Sequence, residues 1–272
     1  FDKQLTPKVT PKALARGTMG HEALSKYIEA RIEGSLHKQA LVVIAEYFIR
    51  LMREGLNDTD TIMEVKLLVD QYMEHHKGWP EWRLLGTEER IDLPINGDIT
   101  FPIRYDLLVE EVSSGKVLVG DFKFTYDFWT ADEHALNPQL PKYIVAMNAN
   151  GIKVDGGFLE EIRTRRLSPA KAADVANLWR RTKYFPSLAK KRNVMKQHIL
   201  ASQQIIQYHN ASAEGREEFI IPVLNKHGAC KFCNFKDLCR SRLDGGDTTE
   251  LEKLQFTKNT YGYNDQITEE ML

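Results

Sequence analysis

The sequence contains few cysteines, no long apolar run and almost no net charge. Its 272 residues carry a formal charge of −1 at pH 7, and the pI is about 6.8. A surface that is basic throughout is therefore excluded, and a polyanion-binding protein of this composition must concentrate its positive charge locally. No apolar stretch approaches the roughly 20 residues of a membrane-spanning helix, so we expect a soluble protein without membrane contact.

Cysteine is confined to one short segment. The three cysteines are Cys230, Cys233 and Cys239. A C-x₂-C pair followed by a third thiolate is typical of a metal or cluster site, and an odd count favours a reducing compartment over disulfides. We predict such a site within residues 227–240. A fourth ligand is open, and His227 would complete a Cys₃His site suited to zinc.

Three basic runs could supply local positive charge. Each run could contact nucleic acid or form a solvated helix face, and the sequence leaves both interpretations open. The runs are Arg163, Arg165 and Arg166, then Arg180, Arg181 and Lys183, then Lys190, Lys191, Arg192 and Lys196.

An acid and an amine stand two residues apart on an otherwise apolar strand. The strand is predicted over residues 116–124, and Asp121 and Lys123 lie near its end. Side chains at i and i+2 point to the same face of a strand. A carboxylate and an ammonium group beside an apolar sheet cost free energy unless they are paired, hydrated or bound to metal. The pair is therefore either an ordinary ion pair or part of a functional site.

The segment before this strand adds a second acid. It is rich in β-branched and apolar residues and ends in a turn signal. A hairpin with Val112 opposite Val117 places Asp106 directly across from Lys123 and diagonally from Asp121. Such neighbours lie roughly 5–8 Å apart, so one cation could bridge the two carboxylates. Mg²⁺ prefers oxygen ligands of this kind.

With these residues in this order, the chain resembles the PD-(D/E)XK nuclease superfamily. Within it, the chain is similar to the RecB-like branch, which includes AddB nuclease domains, CRISPR-associated RecB-like exonucleases and phage-encoded relatives. The resemblance covers about residues 15–240. The family's first acid falls on Asp106, which Tyr105 precedes in place of proline, and its second acid and lysine fall on Asp121 and Lys123.

Three further motifs of the family have counterparts. Its upstream histidine, which follows a glycine and opens a helix, matches His21. Its Gln-x-x-x-Tyr motif matches Gln139 and Tyr143, which share a helix face at i and i+4. An earlier acid of the family matches Glu88, and the adjacent Glu89 stays open because the sequence does not fix the strand phase.

The resemblance implies a role for each residue. Lys123 positions the attacking water, Gln139 and Tyr143 clamp the scissile phosphate or Lys123, and Glu88 is a further catalytic residue. The implied ligands of Mg²⁺ or Mn²⁺ are His21, Asp106, Asp121 and the backbone carbonyl of Phe122. Relatives with this cysteine spacing hold a [4Fe–4S] cluster, so the resemblance also implies a fourth cysteine upstream of residue 1.

The expected fold is α/β (α+β), a central mixed sheet flanked by helices. It is a restriction-endonuclease-like core with an N-terminal helical region and a C-terminal metal-cysteine segment. Predicted helices span residues 21–32, 36–54, 59–76, 139–150, 169–183 and 188–210, and predicted strands span 83–93, 99–112, 116–124 and 156–163. We assign residues 1–243 to one nuclease domain, with 35–80 as a helical insertion and 244–272 as an acidic tail.

The function implied is that of a Mg²⁺- or Mn²⁺-dependent DNA exonuclease. It would act on single-stranded or resected ends in recombination, repair, or phage or CRISPR DNA processing, in the cytoplasm of a bacterial or phage-infected cell. Its partners would be DNA and a helicase, recombinase or adaptation complex. The alternative is a non-catalytic nucleic-acid-binding or adaptor subunit. Aromatic residues in Tyr126–Trp129 could stack unpaired bases or cap the core.

Overall fold

The structure is a computed structural model that describes residues 5–7, 11–55, 58–96, 99–213 and 233–258. The chain divides into two compact units. The larger unit comprises residues 12–199, and the smaller comprises residues 1–11 and 200–272. No helix among the described residues is long and apolar enough to cross a membrane.

Three helices follow a short first strand, β1 (Leu5–Pro7). They are α1 (Lys12–Ile32), α2 (His37–Glu54) and α3 (Thr59–His76). The Asp58 side chain caps α3 by accepting a hydrogen bond from the Thr61 N–H at 3.0 Å. Gly55 ends α2 in the left-handed conformation with a φ of 64°. The predicted bounds of α2 and α3 are confirmed to within one residue.

The start of α1 corrects the prediction for His21. The helix begins at Lys12, so His21 lies in the middle of it and does not open it. Gly20, the glycine that precedes His21, is needed for packing. A Cβ at that position would meet the ring of Phe124 at 2.2 Å. The glycine therefore allows α1 to approach the sheet closely.

Seven strands lie among the described residues of the larger unit. They are β2 (Trp82–Gly86), β3 (Arg90–Asn96), β4 (Ile99–Arg104), β5 (Leu107–Glu111), β6 (Val117–Thr125), β7 (Gly156–Arg163) and β8 (Trp179–Tyr184). Five of them form a sheet in the order β2-β5-β6-β7-β8, in which only β6 and β7 are parallel neighbours. β3 and β4 form a separate two-stranded antiparallel sheet. The mixed sheet flanked by helices confirms the predicted fold class.

The register of the β5–β6 hairpin differs from the prediction by two residues. The structure pairs Glu110 with Val117 and Leu107 with Gly120. Asp106, just before β5, therefore comes level with Asp121, so the predicted position opposite Lys123 is wrong. The turn lies one residue earlier than predicted: the Glu111 N–H donates to the Lys116 carbonyl at 2.9 Å, and Gly115 adopts a φ of 65°. A shift of two residues leaves the predicted face of each side chain unchanged.

Two predicted strands are each interrupted. The segment predicted over residues 83–93 breaks at Thr87–Glu89 between β2 and β3, and the segment over 99–112 breaks at Tyr105–Asp106 between β4 and β5. Residues 105 and 106 therefore leave the ladder. The two breaks place the acidic residues Glu88, Glu89 and Asp106 outside the hydrogen-bonded ladders of the sheets.

The predicted helix over residues 169–183 is wrong. After α6 (Pro169–Ala172) and a 3₁₀ turn (Val175–Asn177), the chain forms β8 as an edge strand. The basic residues of β8 favour a helix by local propensity. Their cross-strand pairing with buried acids of β7 overrides that preference: Glu161 pairs with Arg180, and Glu160 with Arg181.

The sheet has a different apolar layer on each face. Leu118 and Phe122 of β6 pack with the core residues of α1, α2 and α3, while Val119 packs with α5 (Gln139–Ala149) and with the β3–β4 hairpin. Side chains alternate between the two faces along a strand, so Asp121 and Lys123 point to the same face as Val119, which is the face covered by α5. A short helix, α4 (Ala131–Leu136), precedes α5.

The last long helix, α7 (Leu188–Ala213), begins in the larger unit. In the smaller unit, α8 (Lys236–Leu243), α9 (Thr249–Gln255) and β9 (Phe256–Lys258) follow. β9 pairs with β1 in antiparallel register. The rings of Phe235 and Phe256 stack at 5.0 Å.

Candidate active site

β5 begins at Leu107, opposite Gly120 of β6, and the Asp106 side chain fills the gap beside the next residues of β6. The Phe122 N–H donates to Asp106 Oδ2 at 2.7 Å, so a carboxylate oxygen stands where the next backbone acceptor of β5 would be. The Thr87 hydroxyl donates to the Asp106 backbone carbonyl at 2.6 Å. Both contacts fix Asp106 at the point where β6 extends beyond β5 and keeps only β7 as a neighbouring strand.

Three side chains from separate elements converge at this edge. They are His21 from α1, Glu88 from the β2–β3 connection and Asp106. One ligand atom from each lies within 4.8 Å of the others. His21 Nδ1 lies 3.1 Å from Asp106 Oδ2, and its ring packs against Phe122 and Phe124.

A second group lies on the α5 face of β6. Lys123 Nζ is 2.5 Å from Asp121 Oδ2, and the Gln139 amide donates to Asp121 Oδ1 at 2.6 Å. The same amide nitrogen lies 2.6 Å from the Tyr143 hydroxyl. Pro141 falls in the first turn of α5, where its missing N–H has no intrahelical acceptor. Gln139, supported by Tyr143, thereby holds the buried Asp121 carboxylate from the α5 side of the sheet.

Burial and like charge raise the pKa values of two site carboxyls. Burial, followed by the nearby Asp106 carboxylate, raises the pKa of Asp121 to about 6. The same two causes, in the same order, raise the pKa of Glu88 to about 7. The pKa of His21 is raised as well: burial acts to lower it, but the hydrogen bond and charge of Asp106 outweigh that effect. The site therefore concentrates negative charge in a poorly hydrated place.

These residues fit a hard divalent cation. An imidazole nitrogen and carboxylate oxygens are suitable donors, and two ligands of Mg²⁺ at about 2.1 Å lie at most about 4.2 Å apart. The observed spread of up to 4.8 Å needs only a small adjustment. A cation would also relieve the repulsion that raises the pKa values of Asp121 and Glu88.

The position of Glu88 depends on an unusual backbone. Its φ is 51°, in the left-handed region that non-glycine residues seldom adopt. The preceding Gly86 has space only for a hydrogen, because a Cβ there would lie 2.6 Å from the Tyr105 hydroxyl. Arg104 lies 3.9 Å from the Glu88 carboxylate. Apart from the adjacent acids Glu88 and Glu89, no local sequence pattern indicates this strained turn.

Lys142 is a site neighbour that sequence reasoning missed. It lies one residue before Tyr143, and burial lowers its pKa while the charge of Asp121 acts to raise it. Its ammonium group lies 4.9 Å from the centre of the Phe101 ring. Its place within the Gln-x-x-x-Tyr segment was a signal that could have identified it.

The basic runs differ in how far acids neutralise them. Arg180 and Arg181 contact the buried Glu161 and Glu160, and Lys183 contacts Glu111. In the first run, Arg163 and Arg165 lie 4.0 and 3.3 Å from Asp127, and Arg166 lies 3.4 Å from Glu64. Among the described residues, Lys190, Lys191, Arg192 and Lys196 on α7 make no ion pair.

The aromatic segment after β6 has several environments. Tyr126 is 66% exposed, and the Arg165 guanidinium lies 5.6 Å from its ring centre. Phe128 lies between the guanidinium groups of Arg163 and Arg180, at 4.0 and 4.8 Å. Trp129 packs against the apolar layer of the α5 face.

The described residues include only part of the predicted cysteine site. Cys233 is exposed and Cys239, in α8, is half-buried, and both thiols are free. Cys230 and His227 lie outside the described residues. Two thiols alone complete neither a zinc site nor a cluster site.

The fold and the site define a restriction-endonuclease-like α/β core with acids at the open end of a central hairpin. The family model of the PD-(D/E)XK nuclease superfamily matches residues 2–240. The chain therefore belongs to the PD-(D/E)XK nuclease superfamily, whose members are nucleases that use divalent metals.

Comparison with individual proteins gives distant similarities. No curated protein matches the sequence. The solved structure of SSO0001 is 16% identical, with 81% of this chain and 84% of that chain covered and a TM-score of 0.38. A Eubacterium rectale protein described as a "Putative exonuclease" is 11% identical, with 97% and 82% covered and a TM-score of 0.48.

Proposed function

We propose that the protein is a Mg²⁺- or Mn²⁺-dependent DNA exonuclease of the RecB-like branch. The observation that carries the proposal is the convergence of His21, Glu88 and Asp106 within 4.8 Å, beside the buried Asp121–Lys123 pair. Family membership supports the nuclease class. The paired groups supply both an oxygen-rich cation site and a neighbouring ammonium.

The candidate ligands are the predicted set with one addition. His21 and Asp106 are joined by Glu88, which was expected to act as a catalytic residue. The N–H of Phe122 faces Asp106, and the N–H and C=O of one strand residue face the same neighbouring strand. The Phe122 carbonyl is therefore also directed toward Asp106 and stays in the proposed ligand set with Asp121.

The remaining residues act on the substrate and on the attacking water. A bound Mg²⁺ or Mn²⁺ would polarise the scissile phosphate and lower the pKa of a bound water. Lys123, held by Asp121 at 2.5 Å, positions the water and offsets charge that develops on the phosphate. Gln139 fixes the opposite oxygen of Asp121 and links it to Tyr143. These two residues therefore act as positioning residues for the acid.

One set of cleavage reactions tests this proposal. The substrates are single strands labelled at the 5′ or 3′ end, labelled duplex, and circular single-stranded DNA, each incubated with Mg²⁺, Mn²⁺ or EDTA. We expect degradation of the linear substrates only when a cation is present, and intact circles. Cleavage of circles would replace the exonuclease assignment by an endonuclease. Binding without any cleavage would favour the non-catalytic alternative.

Metal binding can be measured apart from cleavage. Titration of the metal-free protein with Mn²⁺, followed by calorimetry or by Mn²⁺ electron paramagnetic resonance, should show one strong site. His21→Ala and Glu88→Gln should each weaken that site about tenfold or more, because even the loss of a group that only supports a ligand costs about 10- to 100-fold. Glu89→Gln is the matched control, and an equal effect of Glu89→Gln would show that the ligand assignment is wrong.

The partners proposed from the sequence are DNA and a helicase, recombinase or adaptation complex. The cysteine segment is a separate proposal: Cys230, Cys233 and Cys239 hold a [4Fe–4S] cluster or, with His227, zinc. Iron and zinc analysis of anaerobically purified full-length protein, with its visible absorbance, distinguishes these outcomes. Absence of both metals would exclude the cysteine site.

A further inference from the structure

A groove lies beside α7 in the larger unit. It has a volume of about 670 Å³ and runs between α7, α5 and the connection that precedes β7. Its apolar lining includes Val145, Val154, Met195 and Ile199. An apolar groove open to water favours an occupant that can cover it with apolar surface.

The rim of this groove is cationic. Lys153, Lys191, Arg192 and Lys196 line it, and its lining includes no carboxylate. Among the described residues, none of these four cations makes an ion pair. The other two basic runs are neutralised by acids. The chain has almost no net charge, so a polyanion requires a local cluster of unpaired cations. Of the three basic runs, only the run on α7, at the rim of this groove, provides such a cluster among the described residues.

The groove is connected to the candidate active site through three side chains. The Lys142 ammonium group lies 5.7 Å from the centre of the Tyr143 ring and 4.9 Å from the centre of the Phe101 ring, and the charge of Asp121 acts to raise its pKa. The His198 ring of α7 lies 4.9 Å from the Phe101 ring. His198 adjoins Ile199 of the groove lining, so cationic and aromatic groups extend from the groove to the reacting residues.

We propose that this groove binds a single strand of DNA and leads it to the candidate active site. The inference deepens the proposed function and rests on it. Phosphates would contact the cations of the rim, while unpaired bases cover the apolar floor and stack on Phe101 and His198. A duplex keeps its bases stacked inside and offers mainly phosphates to such a surface. An acidic protein partner would match the rim but would not account for the connection to Lys142.

The test is a binding measurement that does not depend on cleavage. The probe is a fluorescein-labelled oligothymidylate of about 20 nucleotides, longer than a typical single-strand site, and its anisotropy is followed in EDTA over a series of salt concentrations. The variant Arg192→Glu/Lys196→Glu removes two exposed rim cations on one face of α7. The control Lys38→Glu/Arg53→Glu changes two exposed cations of α2, on the opposite face of the sheet.

The two variants have different expected results. Loss of two phosphate contacts should reduce the slope of log K against log salt by about 1.4, and affinity at low salt should fall at least tenfold. The control should stay within about twofold of wild type. Melting temperatures establish that both variants are folded.

Two results would overturn the inference. One is an unchanged slope of log K against log salt in the α7 variant, which would favour an acidic protein as the occupant of the groove. The other is an equal loss in the control, which would show that binding follows net charge alone. Because no cleavage is measured, wild-type binding through the groove without nuclease activity would contradict the proposed function and not this interface.

Discussion

Two buried carboxylates lie on the same face of neighbouring strands, and they are held in opposite ways. Glu161 of β7 is the ladder partner of Lys123, two residues from Asp121. Glu161 is fully buried and accepts hydrogen bonds from the backbone N–H of Trp129 at 2.6 Å and from the Arg180 guanidinium at 2.7 and 2.9 Å. His134 lies 3.1 Å from the same carboxylate. Its charge is therefore compensated from several directions.

Asp121 has fewer partners and a second acid nearby. It contacts Lys123 and Gln139, and burial together with the Asp106 carboxylate raises its pKa to about 6. A buried acid with full compensation stabilises one geometry, whereas a buried acid with incomplete compensation is ready to receive a cation. The difference indicates that the Glu161 cluster is structural and the Asp121 cluster is functional.

The largest expected effect comes from neutralising the functional acid. Asp121→Asn should lower the cleavage rate by about 10³-fold or more, because the charge that holds Lys123 is lost. The protein should stay folded and should still bind single-stranded DNA. Initial rates on an end-labelled single strand, with melting temperatures, provide the measurement.

Glu161→Gln is the matched control for that change. It alters a carboxylate of the same burial on the adjacent strand, so its cleavage rate per folded molecule should stay within about threefold of wild type. Near wild-type cleavage by Asp121→Asn, or an equal loss in both variants, would contradict the functional assignment.

A smaller effect, on stability, is expected from the structural cluster. Arg180→Met leaves Glu161 buried without its main cation, so the free energy of unfolding should fall by about 3 kcal/mol. Urea unfolding of the metal-free protein measures this. The double variant Glu161→Gln/Arg180→Met should recover part of the loss, because no charge is then left buried. Full additivity of the two changes would show that the pair is not coupled.

Helix and strand identity was predictable where local pattern and environment agree. The bounds of α2, α3 and β7 follow from periodicity and caps, and β7 was predicted to the residue. The edge strand β8 was not predictable, because its cations are stabilised in a strand only by the acids of β7. The sequence contains no local signal for that pairing.

The sequence predicted which residues form the candidate site better than it predicted how they are arranged. Asp121 and Lys123 share a face by strand alternation alone, and the two-residue register error preserved the face of Asp106. The turn that ends at Gly115 sets the register, and the run of turn-forming residues does not specify at which residue the turn begins. The grouping of Glu88 with His21 depends on a left-handed backbone and on the length of α1. Neither feature has a periodic signature.

The pH dependence of stability should differ between wild type and Asp121→Asn by roughly 2 kcal/mol. The pKa of Asp121 is about 6 in the folded state, above its ordinary value of 3.8. A raised folded pKa adds stability below the unfolded pKa, and this stability is lost as the pH rises through the folded pKa. Metal-free wild type should therefore lose stability between about pH 4 and pH 7, relative to Asp121→Asn.

Urea unfolding of both proteins in EDTA at several pH values measures this difference. Asp121→Asn should be the more stable protein at pH 8, and the gap should close toward pH 4. A gap that does not change with pH would show that the raised pKa has another origin. Saturating Mn²⁺ should reverse the order at pH 8, because the cation stabilises the wild-type acid.

The smallest expected effects concern the aromatic segment that connects the two clusters. The Trp129 ring packs in the α5-face layer, so Trp129→Ala should lower the melting temperature without changing single-strand affinity. Tyr126 is exposed beside Arg165, so Tyr126→Ala should leave the melting temperature unchanged and weaken single-strand binding by about 1 kcal/mol, near fivefold. Fluorescence anisotropy and thermal unfolding of the two variants give the four values needed. The opposite pattern would place base stacking at Trp129. The Glu161 cluster would then also contact the substrate, and the degree of charge compensation alone would not distinguish the functional cluster from the structural one.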